Sequence, residues 1–324
     1  MKAKITGTGS YVPARVMANA ELERMVATSD VWITERTGIR ERRIAAPGEA
    51  CSDLGTIAAE RALQAAGVSP ADVEMILVAT CTGDSPLPAT ACRIQHRLGA
   101  VRASACDLSA ACCGFVYALS VGEAYIKTGL RHVLVIGSEV MSMLMDWTDR
   151  STCVLFGDGA GAVLLGPSND ESGILSCHLH SDGNLWDLIC VPGGGSRTPP
   201  CDKMLTEGLQ FLKMKGNETF KVAVKTLEDV AREALAANQL SVKDVDFYVP
   251  HQANARIIRA VAERLDLPME KVVMNLDRYG NTSAASIPLA LDEAVRDKRI
   301  RAGSVVLMEA FGGGLTWAAA VMRW

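Results

Sequence analysis

The order of segments in the second half of this 324-residue chain repeats that of the first, offset by about 170 residues. In the first half a helix from about Ser52 to Gly67 precedes the apolar strand Glu74–Thr80. A helix at Ala89–Leu98, a strand at Ala103–Leu108 and an apolar helix running from Cys112 to Gly129 follow. The strand HVLVIGS (His132–Ser138) and a glycine turn, FGDGAG (Phe156–Gly161), then lead into AVLLG. In the second half VDFYVP (Val245–Pro250), a helix at Ala255–Leu265, a strand KVVMNL (Lys271–Leu276), a helix at Ser283–Lys298, the strand SVVLMEA and the glycine turn FGGGLTW (Phe311–Trp317) come in the same order. Two such βαβαβ-type halves predict an internally duplicated α/β protein, with residues 1–170 and 171–324 forming one compact pseudo-twofold unit.

The duplication places Cys112, in DLSAACCGFVYALS (Asp107–Ser120), and the segment YGNTSAAS (Tyr279–Ser286) at equivalent helix beginnings of opposite halves, so that a pseudo-twofold axis brings them to one site. A thiol at a helix N-terminus meets unpaired N–H groups and the positive dipole end, which favour the thiolate. Its neighbour Cys113 is read as a packing residue. His251, in PHQANARII, follows a strand at its carboxyl end, where open α/β sheets place ligands, and Asn254 is positioned to cap the next helix. Asn281 in GNTSAAS and the glycines of FGGG complete the candidate set, the latter able to aim N–H groups at a developing oxyanion. FGDGAG lacks the Lys-Ser/Thr ending of a phosphate-binding loop and is assigned to a tight turn. His178 and His180 alternate in SCHLHSDG and share one strand face, but too few further ligands accompany them for zinc. The Gly- and Pro-rich stretch from Gly183 to Gly208 is either a disordered connector or an excursion covering a pocket.

Composition narrows the class. Hydrophobic residues make up 49% and mean hydropathy is +0.15, yet no apolar run approaches the ~20 residues that a spanning helix needs. Ten cysteines without disulfide-framework spacing, several of them inside apolar segments (Cys106, Cys153, Cys177), and no secretory pattern at the N-terminus fit a cytoplasmic protein. A net charge of −4 without a long basic run argues against nucleic-acid binding. A Cys/His/Asn set serves two chemistries: cysteine hydrolysis, for which no papain-type signature is present, and thioester condensation, in which the thiol takes an acyl group and the other two stabilise an enolate.

From GTGSYVP through TSDVWITERTGIRERR, AACCGF, TDRSTCVLFGDGAG, GNETFKVAV, PHQANARII and YGNTSAAS to EAFGGGLTW, the chain resembles the β-ketoacyl-acyl carrier protein synthase III family over essentially its full length. The resemblance implies the five-layered αβαβα thiolase-like fold and a homodimer. It implies an acyltransferase that joins a starter acyl-CoA to malonyl-acyl carrier protein with loss of CO₂, opening type II fatty acid biosynthesis without metal or other cofactor. A related acyltransferase of secondary metabolism and a non-catalytic acyl-CoA- or carrier-binding paralogue are the alternatives. Carried over by position, Cys112 is the implied nucleophile, with Gly313 as oxyanion donor, and His251 and Asn281 act on the malonyl thioester. Phe311 resembles the family's gating aromatic, and Thr28, Trp32, Arg36, Arg150, Phe220 and Asn254 match positions that hold CoA. Gln252, Arg256 and Lys221 match those facing the acidic carrier, with Arg259 and Arg264 extending the basic side of that helix. Leu87 stands where relatives often place an aromatic that reaches across the dimer into the primer pocket.

Overall fold

The computed structural model describes residues 2–324. Its first sheet holds β1 (Lys2–Tyr11), β2 (Met75–Ala79), β3 (Ser104–Leu108), β4 (Val133–Val140) and β5 (Asp158–Ser168), in the order β1-β5-β4-β2-β3. The second holds β6 (Gly173–Ser181), β7 (Phe247–Pro250), β8 (Val305–Gly312) and β9 (Thr316–Arg323), in the order β7-β8-β9-β6. In both, a short strand runs parallel to the central one (β2 to β4, β7 to β8), and the next two pairs are antiparallel. The repeat read in the sequence is thus a repeat of sheet topology.

Beside α1 (Asp30–Thr37), which packs in a small separate cluster, six helices build the layers: α2 (Cys51–Ala66), α3 (Thr90–Leu98), α4 (Gly114–Lys127), α5 (Gly216–Ala237), α6 (Ala255–Arg264) and α7 (Ser286–Arg296). Strand β2 shows how the layering arises. Its five residues are all buried, and because side chains alternate across a sheet, Met75, Leu77 and Ala79 meet α4 and α7 while Ile76 and Val78 meet α2 and α3. Val306 and Met308 of β8 pack on the same α4/α7 layer from the other side, and Leu307 meets α5 and α6. The result is five layers: α2/α3, sheet, α4/α7, sheet, α5/α6. Helix ends are fixed locally. The Asp107 carboxylate accepts the Thr90 and Ala91 N–H groups at 2.7 and 2.8 Å at the start of α3, and Gly67 closes α2 in the left-handed region at φ 65°.

Four sequence expectations change. KVVMNL is not a strand: it is reduced to a single bridge, Tyr248 to Val272, so the second sheet has four strands where the first has five. FGDGAG is not a turn, because β5 already begins at Asp158, and Gly159 and Gly161 lie flat against α7 at Pro288 and Leu289, where a side chain would collide. Cys106 is exposed rather than sunk in an apolar strand, since β3 forms the edge of its sheet. Cys112 precedes α4, in a 3₁₀ turn, Ala111–Cys113.

Candidate active site

Each half contributes one helix beginning to a shared cavity, and the same local device builds both. Ala111 and Ser283 take left-handed backbone conformations (φ 45° and 49°), each opens a 3₁₀ turn, and α4 and α7 start directly after them. Such conformations are disfavoured for residues with a β-carbon and persist where surrounding packing holds them. Two glycines make the crossing possible. A β-carbon on Gly312 of β8 would lie 2.7 Å from the Cys112 nitrogen, and one on Gly137 of β4 would lie 2.3 Å from the Ala284 carbonyl oxygen. A glycine in each central strand therefore lets the opposite half's turn approach.

The cavity, of about 610 Å³, is lined by Cys112, His251, Asn281, Phe311 and Gly313. That volume falls within the ~300–1,000 Å³ typical of small-molecule sites. Asn281 accepts the Ser283 N–H at Oδ1 (2.8 Å), which turns its amino group into the donor end. His251 is buried, its Nδ1 is 2.7 Å from Ser286 Oγ, and burial pulls its pKa down to about 4, so the ring is neutral at physiological pH. Cys112 departs from the helix-end argument. Burial pushes its thiol up to about 11; the Ser283 hydroxyl opposes that shift and the Glu139 carboxylate adds to it. Desolvation outweighs the dipole, and the resting group is a thiol. Cys113 is fully buried and donates its S–H to the Thr316 carbonyl at 3.2 Å, as a packing residue does.

Trp32, Arg36, Phe220 and Asn254 line the same cavity, and so do Lys221 and Arg256. Asn254 Oδ1 caps α6 by accepting the Arg256 N–H at 2.8 Å, while its Nδ2 donates to the Arg36 carbonyl at 3.1 Å and ties α6 to α1. Arg150 is outside the lining but lies 4.7 Å over the Trp32 ring, and Thr28, also outside it, has a buried hydroxyl without a partner. The roof is the 183–215 excursion, ordered by a two-strand ribbon (Ile189–Cys190 with Lys213–Met214) and by a 2.6 Å ion pair between Lys215 and Asp187. Ile189, Leu212 and Met214 from this segment face the cavity, which decides for a pocket cover over a disordered connector.

Two expected positions, Gln252 and Arg264, behave differently. Gln252 is 1% exposed, with Nε2 donating to the Pro250 and Val273 carbonyls and Oε1 accepting the Asn275 N–H; it braces the loop and cannot meet a carrier. Arg264 is paired with Glu228 at 2.9 Å, which shortens the basic side of α6. Leu87 is 85% exposed and does not line this cavity, as suits a residue that reaches out of its own chain. His178 and His180 bond the two oxygens of Glu233 at 3.0 and 2.7 Å, and among the described residues no group of three or more acidic, histidine or cysteine side chains is arranged to hold a metal.

Sequence reasoning missed the residues behind the cavity. Glu139, fully buried, accepts the Thr82 hydroxyl (2.5 Å), the Cys81 N–H (3.1 Å) and the Thr80 hydroxyl (3.2 Å), which seats Cys81 in the cavity wall. Glu309, also fully buried, bonds Tyr248 through one oxygen and has no partner for the other. A lone acid inside an apolar strand was the available signal for each.

Comparison with known proteins decides the family. The model for the C-terminal region of 3-oxoacyl-[acyl-carrier-protein] synthase III matches residues 235–324, and the companion 3-oxoacyl-[acyl-carrier-protein] synthase III model matches residues 106–183. A β-ketoacyl-[acyl-carrier-protein] synthase III from Alkalilimnicola ehrlichii is 55% identical over 324 residues, covering 99% of each chain. The chain belongs to the β-ketoacyl-acyl carrier protein synthase III family. Among solved structures, the 3-oxoacyl-[acyl-carrier-protein] synthase III of Aquifex aeolicus superposes with a TM-score of 0.92 at 47% identity, covering 99% of this chain and 100% of that one. The priming β-ketosynthase of the R1128 polyketide pathway superposes at 0.91 with 40% identity, covering 99% and 96%. The five-layered thiolase-like architecture is thus common to this chain and to the synthase III structures.

Proposed function

We propose that this chain is the priming condensing acyltransferase of type II fatty acid synthesis, joining a short acyl-CoA to malonyl-acyl carrier protein to give 3-oxoacyl-carrier protein, CO₂ and CoA. The observation that carries this reading is the convergence of Cys112, His251 and Asn281 on one cavity whose wall also holds Trp32 and Arg36. Cys112 sulfur attacks the starter thioester carbonyl; a new C–S bond forms and CoA leaves as its thiol, taking the proton that the buried Cys112 thiol must give up. Backbone N–H groups at Cys112 and Gly313 hold the oxyanion. Trp32 offers a face to the adenine, and Arg36 and Arg150 offer guanidinium groups to phosphate. Thr28, Phe220 and Asn254 border the pantetheine arm.

In the second half-reaction His251 and Asn281 hold the malonyl thioester oxygen, and the carboxylate leaves as CO₂. The resulting enolate carbon attacks the acyl group on Cys112, the C–S bond breaks, and the sulfur leaves as a thiolate that takes up one proton from solvent to regain the resting thiol. With that proton the two half-reactions balance with no change that calls for a metal or redox cofactor, and CO₂ loss drives them. Phe311, at the cavity wall, screens the departing CO₂ from water. Arg256 and Lys221, both exposed at the cavity, suit an acidic carrier.

We further place the protein in the cytoplasm, with residues 1–170 and 171–324 as its two halves, working as a homodimer joined at β3. The free edge of that strand and the exposed Leu87 and Val101 support this contact, across which Leu87 reaches the partner's primer pocket. A second reading, a priming acyltransferase of secondary metabolism, is favoured by the 40% identity to the polyketide enzyme. Intact-mass measurement after mixing with a panel of acyl-CoAs, followed by addition of malonyl-carrier protein, tests the assignment. An acyl adduct that disappears in Cys112→Ala and is consumed on addition of malonyl-carrier protein is the expected result. An adduct retained in Cys112→Ala would sink it, and adducts that malonyl-carrier protein never consumes would shift the chain to the second reading.

A further inference from the structure

The hydroxyl of Ser286 occupies a position that decides where the proton of His251 sits. It lies 2.7 Å from His251 Nδ1 and accepts the Gln252 N–H at 3.3 Å. Ser286 is 1% exposed and is the first residue of α7, a helix clamped between the two sheets, so the hydroxyl has a fixed address. Gln252 is equally fixed, since its side chain braces Pro250, Val273 and Asn275.

A hydroxyl has one proton to give and two lone pairs to receive. With the Gln252 N–H already donated into Oγ, two arrangements remain. If Nδ1 carried the imidazole proton, Oγ would receive two N–H groups, and its own hydrogen would be left in the protein interior with no recorded acceptor. If Ser286 O–H donates to Nδ1, both hydrogen bonds at Oγ are matched and the imidazole proton sits on Nε2, the nitrogen left to the cavity that His251 lines. Buried polar groups are overwhelmingly paired, and leaving one unmatched is unfavourable. The second arrangement therefore prevails.

We propose that Ser286 is a positioning residue that locks His251 in the Nε2–H form, so that the imidazole presents a hydrogen-bond donor to the cavity. This rests on the function proposed above and adds to it how a neutral imidazole becomes an electrophilic contact for a thioester oxygen. A neutral histidine with Nε2 bare would instead repel that oxygen. Asn281 is oriented by the same logic from the Ser283 N–H, so both donors of the site are set by residues of one short segment, 281–286. Ser286 itself touches no substrate in this scheme, and its effect passes through His251.

The experiment uses the full-length protein in three forms: unmodified, Ser286→Ala and Ser286→Thr. Nitrogen-15 NMR of labelled histidine, with His251 identified by its absence in His251→Ala, reads the tautomer directly. The unmodified protein and Ser286→Thr are expected to carry the proton on Nε2, and Ser286→Ala to show a mixture. Decarboxylation of malonyl-carrier protein is expected to fall roughly 10- to 100-fold in Ser286→Ala and to recover in Ser286→Thr, with acylation of Cys112 changed less than twofold. A proton on Nδ1 in the unmodified protein overturns the proposal. So does a Ser286→Ala protein that decarboxylates within twofold of normal, or one that loses acylation as severely as decarboxylation. Should the unmodified protein fail to decarboxylate malonyl-carrier protein at all, the assigned function falls, while the NMR arm still judges the lock. Should Ser286→Ala not fold, the unmodified protein and Ser286→Thr still decide it.

Discussion

The two halves share a topology and differ at their outer edges and at the acids of their central strands. The first sheet carries a fifth strand, β3, with an unpaired and exposed edge; the second reduces the equivalent segment to one bridge at Val272. In β4, Glu139 is surrounded by donors from residues 80–82, whereas in β8 Glu309 has one oxygen without a partner. A duplicated fold conserves what its core must do, which here is to bring two helix beginnings together. The edges and the polar interior are free to diverge. One half carries the proposed nucleophile and an open edge, and the other the proposed donors and an edge beside which the Val272 segment lies.

The reciprocal glycine contacts are the part of this comparison with the largest expected consequence. Gly137→Val and Gly312→Val each force a side chain into the opposite half's turn, and each is expected to destabilise by about 3 kcal/mol or more in denaturant titrations. At matched folding, Gly312→Ala should impair Cys112 acylation more than Gly137→Ala, because its contact is with the Cys112 backbone itself. Wild-type stability in either valine variant would break the symmetry argued for the site.

The open edge is tested next. Cys106→Lys places a charge on the exposed side of β3, and sedimentation is expected to show a monomer in place of a dimer, at unchanged far-UV circular dichroism. A dimer that survives this change would locate self-association elsewhere.

The smallest effect separates the two acids. Burial holds Glu309 up at about 8, against an ordinary 4.5, so between those values the native state keeps a proton that the unfolded chain has lost. Stability therefore falls as pH rises through that window. Glu309→Gln removes the slope and should raise Tm at pH 8.5 by about 2–5 °C. Glu139→Gln should lower Tm instead, since it weakens the charge-assisted bonds from three successive residues and turns the second oxygen into an amino group that faces the Cys81 N–H and S–H donors. Equal responses would erase the distinction between the halves.

Most of the architecture was legible in the sequence because hydrophobic period and glycine placement are local signals. α2, α3, α6 and β4 were bounded to within a residue or two by them. KVVMNL misled because its apolar run is that of a strand, while its actual task is to close the edge beside β7. Cys112, His251 and Asn281 were found through motif and duplication together. Gln252 was misassigned because a polar residue beside a candidate catalytic one reads as a surface contact, and nothing in a sequence shows that three backbone groups bracket it. Glu139, Ser283 and Ser286 were invisible for a related reason. Their significance depends on which atoms they face across the molecule, a property of tertiary contact alone. The thiol's raised pKa was missed because a helix-end dipole can be read from a sequence and the depth of burial cannot.

The 183–215 roof and the α4/α7 layer beneath it differ in what holds them: a two-residue ribbon and a solvent-exposed ion pair above, two full sheets below. Local opening draws on the contacts of the segment that opens. In a deuterium-exchange time course the roof amides would label first and those of 114–126 and 286–296 last, with Cys112 and Asn281 placed just ahead of these two slow helices. Traffic into the cavity can thus proceed through transient fluctuation of the cover, many times over, during a single lifetime of the floor.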